Sequence, residues 1–445
     1  MAESQNISEL VTAVFQTWKH ANVDFLILRN YESLPDFTSN DIDVLVDPNQ
    51  LCLAEKELIA AARSVGFVLH NRAEFSPISL FFHQPASQRQ IQFDLFGVLR
   101  WRGLTLLPTE KVLASKIKRD NFAIPHPAHE AVLNLITRLL YQKYVKETYR
   151  GKINAAFQSE PSEAVALLTE VFGESLGQTI FDEAVKGNWK LIESRASQLR
   201  RALLLRGLTR HPLRSLLGLA SDFFRLGRRF LRPPGIAVVL LGPDGCGKSS
   251  VAEKVIESLR HSFSPDKGLQ VHWKPIVFSA KRRHERLPTT NPHAQPARSK
   301  LSSLVFLGYH WFEFFLGNWL QIRPVRFKNG LVMIDRYYYD FLIDPKRYRL
   351  NAPRGAIRFG EFCLPKPDLI FLLDAPAEVL QSRKQEVSFE ETSRQRQAFL
   401  KLVQPLSNAR IIDATRSMDE VAADVVRATL EFCAIQMNQR KGNYD

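Results

Sequence analysis

The residues with the clearest chemical potential lie in a glycine-rich segment that directly follows an apolar run. Residues 242–249 read GPDGCGKS, so that a lysine and a serine come after the last of three glycines. Glycine lets the backbone turn so that successive N–H groups point inward, where they can bind phosphate oxygens. Lys248 would add positive charge at the β- and γ-phosphates of a nucleotide, and the Ser249 hydroxyl can ligate Mg²⁺, so ATP and Mg²⁺ are the predicted cofactors. The predicted nucleotide-binding residues here are Gly242, Asp244, Gly245, Cys246, Gly247, Lys248, Ser249 and Ser250.

This segment stands between two predicted elements in the order that a phosphate-binding loop, or P-loop, requires. Residues 236–241 form a continuous aliphatic run, which is typical of a strand buried on both faces. The SSVAEKVIESL segment that follows Lys248 begins a helix, and the positive end of a helix dipole favours an anion. The alternative is a chance glycine-rich turn, which would not require strand, loop and helix in this order.

Further apolar runs alternate with helical segments in the C-terminal part of the chain. They lie at 269–272, 331–334, 369–373 and 410–412. Strands that alternate with helices form a parallel, doubly wound sheet. Residues 20–100 instead mix short apolar runs with helical spacing, and 110–210 favour helix. The predicted fold class is α/β, with a C-terminal P-loop doubly wound parallel sheet and an N-terminal mixed α/β domain that has a helical extension.

A carboxylate and a guanidinium follow the apolar run at 331–334. Asp335 could orient the water shell of Mg²⁺ or the acceptor oxygen, and Arg336 could clamp a phosphate through two hydrogen bonds. The alternative is a salt-bridged pair that caps the strand. The sequence predicts a catalytic role for both residues.

Three segments together resemble the thymidylate kinases and their deoxynucleoside-kinase relatives. They are GPDGCGKSS, the DRY tripeptide that begins at Asp335, and PDLIFLLDAPAEVLQSRKQE, and they occur in the family's order within residues 236 to about 432. The resemblance implies a five-stranded parallel P-loop sheet with a mobile lid that carries arginines. It implies ATP-dependent, Mg²⁺-dependent phosphoryl transfer.

The resemblance also assigns residues to roles. It makes Arg383, at the start of the lid, a catalytic residue beside Lys248, Asp335 and Arg336. It places Arg416 in the loop beside the adenine ring of ATP. The second half of the implied lid contains Arg394 and Arg396.

The chain departs from thymidylate kinases where those enzymes bind the acceptor nucleotide. The family's Arg-Glu-Pro-Gly segment is replaced by HWKP at 272–275, which the basic run SAKRRHER follows. After the DRY tripeptide, Asp340 and Asp344 could accept hydrogen bonds from sugar hydroxyls, or could pair with Lys346 and Arg347. With these departures, the chain resembles the thymidylate-kinase-like proteins of bacterial surface-polysaccharide loci more than it resembles housekeeping thymidylate kinases.

The phosphoryl acceptor is therefore predicted to be a nucleotide, with dTMP the family's substrate, or a sugar of a surface glycan. The alternative to a kinase is a nucleotide-gated binding or assembly protein, in which ATP moves the lid and the N-terminal domain recruits a partner. The intact set of Lys248, Asp335 and Arg336 favours the enzyme.

Three carboxylates in the N-terminal part form a second candidate site. Asp41 and Asp43 lie two residues apart at the start of a predicted strand, which puts them on one face, and Asp94 lies in the alternating segment 91–96. Three such carboxylates could hold Mg²⁺ ions for nucleotidyl transfer. Residues 20 to about 150 resemble the nucleotidyltransferase fold, although Arg29 and Asn30 replace its Gly-Ser. A degenerate domain that no longer catalyses is the alternative.

Residues 195–232 contain ten arginines and a single acidic residue, Asp222, interleaved with leucine and phenylalanine. An amphipathic helix on an anionic membrane has this composition. A helix packed between two domains, with its arginines in water or paired with acids, is the alternative. Nucleic acid is not an expected partner, because this stretch supplies much of the net charge of +14 and few aromatic residues for base stacking.

The length of 445 residues and the breaker Pro233-Pro234-Gly235 predict three regions: 1–150, nucleotidyltransferase-like; 151–232, a helical, arginine-rich connector; and 233–445, thymidylate-kinase-like. Four scattered cysteines predict a reduced, cytoplasmic protein. If residues 195–232 form the membrane helix rather than the packed one, the protein is expected to be peripheral at the inner membrane. The apolar stretch 304–322 contains a glutamate, a histidine and an asparagine, which favour a buried or amphipathic helix over a membrane span. The sequence leaves the oligomeric state open, with a homodimer as one candidate assembly.

Overall fold

A computed structural model describes residues 2–36, 38, 41–87, 89–263, 268–273, 275, 293 and 295–441. The chain divides into two compact units, residues 1–228 and 229–445. The helices that follow residue 150 belong to the same unit as the N-terminal sheet, as far as residue 228.

The first unit begins with a five-stranded mixed sheet. Its strands are β1 (Phe25–Ile27), β2 (Ile42–Val46), β3 (Val68–Glu74), β4 (Ile78–Gln84) and β5 (Arg89–Phe96), in the order β1-β2-β5-β4-β3. Only β2 and β5 are parallel neighbours in this sheet. Two amphipathic helices, α1 (Ala2–His20) and α2 (Leu51–Ser64), share an apolar core with it. The N-terminal mixed α/β architecture is as predicted.

The remainder of the first unit is largely helical. Two short hairpins flank a helix: β6 (Leu99–Trp101), β7 (Leu104–Leu107), α3 (Thr109–Ala114), β8 (Ile117–Lys118) and β9 (Ala123–Ile124). The helices that follow are α4 (Pro127–Tyr141), α5 (Glu147–Ser159), α6 (Pro161–Phe172), α7 (Glu174–Val185), α8 (Trp189–Ser194), α9 (Ala196–Arg210) and α10 (Pro212–Leu231). Residues of α4 to α9 enclose a second core, separate from the first. The boundary between the two units falls within α10.

The second unit contains a five-stranded sheet whose paired strands are all parallel. The strands β10 (Ala237–Leu241), β11 (Leu269–His272), β12 (Val332–Asp335), β13 (Leu369–Asp374) and β14 (Ala409–Asp413) lie in the order β11-β12-β10-β13-β14. The prediction of a parallel α/β sheet is therefore confirmed. β10 is central, and its alternating residues enter two different cores, which explains its unbroken aliphatic sequence.

Helices cover both faces of this sheet. They are α11 (Lys248–Ser258), α12 (Lys300–Gly317), α13 (Arg323–Phe327), α14 (Asp340–Ile343), α15 (Arg354–Phe362), α16 (Ala377–Arg383), α17 (Phe389–Val403) and α18 (Met418–Lys441). Residues 304–322 form most of α12 and a π-helical turn, Asn318–Ile322, with Glu313 buried and Val305 exposed. None of the described helices is long and apolar enough to cross a bilayer.

Candidate active site

The P-loop, residues 242–249, connects the central strand β10 to helix α11. All three of its glycines have a positive φ, a conformation that other residues rarely adopt. Gly242 has φ 143°, and a Cβ atom there would lie 2.7 Å from the carbonyl oxygen of Leu373. Gly247 has φ 88° and immediately precedes α11, so the chain enters the helix from a left-handed turn. The loop thus has the strand-to-helix geometry in which backbone N–H groups face an anion.

The Lys248 side chain is buried and folds back into this loop. Its Nζ atom donates to the carbonyl oxygens of Gly242 and Pro243, each at 2.9 Å. It also lies 3.6 Å from Sγ of Cys246, and burial raises the pKa of that thiol. The ammonium group of Lys248 is therefore bound within the loop, and its two oxygen partners there are neutral carbonyls.

A carboxylate and a hydroxyl meet beside the loop. Ser249 Oγ donates to Asp335 Oδ2 at 2.5 Å, and His272 Nδ1 lies 3.7 Å from the same oxygen. Asp335 is buried at the end of β12, and its Oδ1 atom has no hydrogen-bond partner among the residues that the structure describes. A buried carboxylate oxygen without a partner, next to a serine hydroxyl, fits Mg²⁺, which prefers oxygen ligands.

Two arginines converge on Asp244 in the P-loop. Arg336 and Arg347 both form ion pairs with this carboxylate, and Arg347 also contacts Glu386 at 2.7 Å. Burial alone would raise the pKa of Asp244, but the positive charges of Arg336, Lys248 and Arg347 outweigh it and lower that pKa. Three cations therefore surround the place where the loop would hold phosphates. The sequence indicated Arg347 only as an alternative partner of Asp340 and Asp344, and not as a contact of the P-loop.

Arg336 has a left-handed backbone, with φ 70°. Its amide donates to the Leu240 carbonyl at 3.0 Å, which fixes the residue at the end of β12. A non-glycine residue in this region costs about 1–3 kcal/mol and is retained where the surroundings over-determine it. This backbone directs the guanidinium to the P-loop, and such strain is concentrated at functional sites.

Asp340 lies next to Arg336 at the start of α14. Its Oδ2 atom is 3.4 Å from Arg336 Nη1 and accepts a hydrogen bond from the Tyr348 hydroxyl at 3.3 Å. Its Oδ1 atom is buried and has no partner among the described residues. Burial raises the pKa of Asp340, although the charges of Arg336 and Lys248 oppose the rise. The Trp273 ring stacks on Tyr348, with centroids 5.1 Å apart, and closes this side of the site.

Asp344, the second carboxylate after the DRY tripeptide, already has hydrogen-bond partners within the protein. It accepts hydrogen bonds from His293 at 2.9 Å, from Gln395 at 3.1 Å and from the Arg347 amide at 3.1 Å. His293, Asp344 and Glu391 are close enough together to hold a metal ion. Arg394 nevertheless forms a two-point ion pair with Glu391, and this added positive charge disfavours a cation there.

The arginines assigned to the lid contact their own surroundings in this structure. Arg383, at the end of α16, donates to the carbonyl oxygens of Ala414 at 2.8 Å and Thr415 at 3.3 Å. Arg394 pairs with Glu391, Arg396 with Asp374 and Arg416 with Asp424. A contact between Arg383 and a transferred phosphoryl group, and one between Arg416 and adenine, stay predictions.

The basic acceptor segment lies almost wholly outside the described residues. Of the HWKP motif, His272, Trp273 and Pro275 are described, whereas Lys274 is not. The basic residues Lys281, Arg282, Arg283 and Arg286 also lie outside the described residues.

The three N-terminal carboxylates meet at one point of the first sheet. Asp43 and Asp94 are partners in the parallel β2–β5 pair, and Asp41 immediately precedes β2. Oxygen atoms of the three residues lie within 4.8 Å of one another. Burial, together with the negative charges of Asp43 and Asp41, raises the pKa of Asp94 to about 7.

Arg29 occupies one side of this cluster. It donates to both carboxylate oxygens of Asp43, at 2.5 and 3.1 Å. A fixed cation therefore already neutralises one carboxylate of the cluster. The carboxylate oxygens of the cluster are nevertheless of the type that would fit Mg²⁺ or Mn²⁺.

No protein-family model matches the chain. A stretch of 117 residues is 30% identical to "Probable thymidylate kinase 1" of Saccharolobus solfataricus, which corresponds to 25% of this chain and 58% of that protein. The chain thus spans 58% of the length of the curated relative that it matches. A solved thymidylate kinase from Ehrlichia chaffeensis aligns over 44% of this chain and 99% of its own, at 16% identity and a TM-score of 0.34. The sequence match supports a thymidylate-kinase-like domain in this chain.

Proposed function

We propose that the second unit is an ATP- and Mg²⁺-dependent phosphotransferase of the thymidylate or nucleoside-monophosphate kinase type, which transfers the γ-phosphoryl group to a nucleotide or sugar acceptor. The observation that carries this proposal is the convergence of Lys248, Arg336 and Arg347 on the P-loop, beside the hydrogen-bonded pair of Ser249 and Asp335. Each of these groups suits a triphosphate with its metal ion.

Catalysis in this proposal is positioning and electrostatic stabilisation. Lys248 would exchange its carbonyl partners for β- and γ-phosphate oxygens, and Arg336 and Arg347 would neutralise charge that develops on the transferred group. Ser249 and Asp335 would hold Mg²⁺, which supplies further charge neutralisation when it is bound. Arg383 would contribute only after leaving its carbonyl partners, through a movement of the lid.

The acceptor would approach on the side of Asp340. The Oδ1 atom of this buried carboxylate, which has no partner among the described residues, can accept a hydrogen bond from a hydroxyl group of the acceptor. The neighbouring Arg336 can neutralise its charge. A sugar or a nucleotide ribose offers such a hydroxyl. The stacked Trp273 and Tyr348 rings form an apolar wall beside it. A role in surface-polysaccharide biosynthesis rests on the sequence resemblance.

We predict that dTMP is a poor acceptor, because the Arg-Glu-Pro-Gly segment of thymidylate kinases is replaced here by HWKP. The kcat/KM for dTMP should lie below about 10⁴ M⁻¹s⁻¹, the low end of the ordinary enzyme range. Steady-state ADP formation with dTMP, other nucleoside monophosphates and phosphorylated sugars measures this. A value for dTMP inside the ordinary range would show that the altered segment still serves the usual substrate.

We also propose that Asp41, Asp43 and Asp94 bind a divalent cation in the first unit. The mutual approach of their oxygens supports a metal site, whereas the Arg29–Asp43 pair supports the degenerate alternative. In the second case the domain would bind a ligand without catalysing nucleotidyl transfer.

Replacement of Asp41 by asparagine is expected to weaken Mn²⁺ binding at least about tenfold, because one charged oxygen ligand is lost. Wild-type binding should strengthen as the pH rises through about 7, since burial and the Asp43 and Asp41 charges hold a proton on Asp94 below that pH. Calorimetric titration of the full chain measures both effects. Asp36→Asn is the control, because this exposed aspartate lies outside the cluster. Equal Mn²⁺ binding by the wild type and Asp41→Asn would favour the degenerate domain.

A further inference from the structure

Helix α10 presents its apolar side to solvent. Leu213, Leu216, Leu217, Phe223 and Phe224 are between 55% and 76% exposed. Their spacing of three, four and seven residues places them on one side of the helix, as in an amphipathic helix that packs on a core. In α10 that side faces solvent. We call these five residues the outer face of α10.

The polar side of the same helix contacts other residues of the first unit. Asp222 and Ser215 are buried, and Arg225 pairs with Asp222 while donating to the carbonyl oxygens of Glu74 and Phe75. These contacts fix the rotation of the helix about its axis. Arg225 is therefore directed inward and is not available to an external partner.

A close backbone contact reinforces this orientation. A Cβ atom on Gly218 would lie 2.2 Å from the carbonyl oxygen of Gly103, in the turn between β6 and β7. The helix can approach the turn this closely only with glycine at the contact. Rotation of α10 to bury its leucines would break this contact as well as those of Asp222 and Arg225. The outward direction of the apolar side is thus built into the packing.

The charges beside the outer face indicate its partner. Arg214 and Arg228 are exposed on the same helix, and the only acidic residue between 195 and 232 is the buried Asp222. A second copy of α10 laid antiparallel on this face would bring arginines against arginines. An anionic lipid surface instead offers hydrocarbon for the leucines and phenylalanines and negative headgroups for the arginines.

We infer that the outer face of α10 binds the surface of an anionic lipid bilayer. The helix lies parallel to the membrane plane, with Phe223 and Phe224 at the boundary between headgroups and acyl chains and with Arg214 and Arg228 at the headgroups. The interaction is peripheral. It is independent of the proposed phosphoryl transfer, since none of these residues belongs to the candidate active site.

The test is co-sedimentation of the full chain with vesicles of phosphatidylcholine alone or with about 30% phosphatidylglycerol. We expect binding to the anionic vesicles that falls steeply between low salt and about 0.5 M NaCl, because salt screens the arginines. The Phe223→Ser/Phe224→Ser variant should bind at least about tenfold more weakly, since it loses the two aromatic rings that would enter the lipid surface. Arg214→Gln/Arg228→Gln should lose about tenfold at low salt.

A matched control removes two exposed phenylalanines from another helix. Phe359 and Phe362 on α15 are 70% and 78% exposed. The Phe359→Ser/Phe362→Ser variant should bind vesicles as the wild type does. Circular dichroism checks that every variant is folded, which we expect because the substituted side chains face solvent.

Four results would overturn the inference. The first two are a failure to bind anionic vesicles and equal binding to neutral and anionic vesicles. The third is that the α10 and α15 phenylalanine variants lose vesicle binding equally. The fourth is that the wild type forms a dimer, which the Phe223→Ser/Phe224→Ser variant does not form although its vesicle binding is unchanged. The last result would assign the face to a second copy of the chain. Phe224→Trp gives an independent readout, because brominated lipids should quench its added fluorescence in folded protein.

Discussion

Replacement of Lys248 by alanine is expected to lower ATP turnover at least about a hundredfold while leaving the fold intact. Among the described residues, the side chain bonds only to atoms of its own loop, at the carbonyls of Gly242 and Pro243 and the thiol of Cys246. Its removal therefore spares both cores of the second unit. The removal of one donor to a developing negative charge costs about 2.7–4 kcal/mol of transition-state stabilisation. Initial-rate measurement of ADP formation, with a thermal melt of each protein, measures the effect.

Lys254 is the matched control for this substitution. It lies six residues further along the same helix, where its ammonium pairs with Asp419 at the surface. Lys254→Ala should retain wild-type turnover, because an exposed ion pair contributes little. If folded Lys248→Ala protein hydrolysed or transferred phosphate as fast as the wild type, the assignment of residues 242–249 as a catalytic P-loop would be wrong.

Asp335→Asn is expected to lower turnover about a hundredfold and to raise the Mg²⁺ concentration needed for half-maximal activity. Asparagine keeps the shape of the side chain but loses the negative charge beside Ser249 and replaces one oxygen with an amide nitrogen. Hard divalent cations bind carboxylate oxygens in preference to such a group. The loss would follow from weaker metal binding and from poorer orientation of the reacting groups.

A Mg²⁺ titration of the steady-state rate separates this role from a structural one. If Asp335 only stabilised the end of its strand, its replacement would lower the melting temperature without shifting the Mg²⁺ dependence of the rate. Asp419→Asn removes a carboxylate at an exposed site and should change neither quantity appreciably. An unchanged Mg²⁺ dependence in folded Asp335→Asn protein would contradict the proposed metal role of Asp335.

The parallel sheet and the P-loop are predictable because their signals are local. The aliphatic run of β10, the three glycines and the start of α11 are contiguous in the chain, and each follows from the conformation that its own residues favour. Asp335 and Arg336 are predictable for a related reason. The carboxyl end of β12 lies beside that of β10 in a parallel sheet, so residues that follow the two strands must meet.

Contacts between distant segments are not predictable in this way. Arg347 and Asp244 are 103 residues apart, and no periodic pattern links them. Their meeting depends on the path of the chain between β12 and α15. The same holds for the Asp340 oxygen that lacks a partner in the described part of the chain, and for the two carbonyls that accept from Arg383.

The orientation of α10 is not predictable from the spacing of its residues. The spacing of its leucines and phenylalanines indicates an amphipathic helix, but periodicity does not say which side contacts the protein. That choice is made by the buried Asp222, the inward Arg225 and the Gly103–Gly218 contact. The sequence left a membrane helix and a packed helix as alternatives, and the packing turns the apolar side outward.

The most direct test of the proposed function is to follow the label of [γ-³²P]ATP during incubation of the full chain with Mg²⁺ and a panel of nucleotide and sugar acceptors. A phosphotransferase is predicted to move the label from ATP into at least one acceptor, and Lys248→Ala should abolish that transfer. If the label remained in ATP, or appeared only as inorganic phosphate with every acceptor, the result would contradict a kinase and favour a nucleotide-gated binding protein.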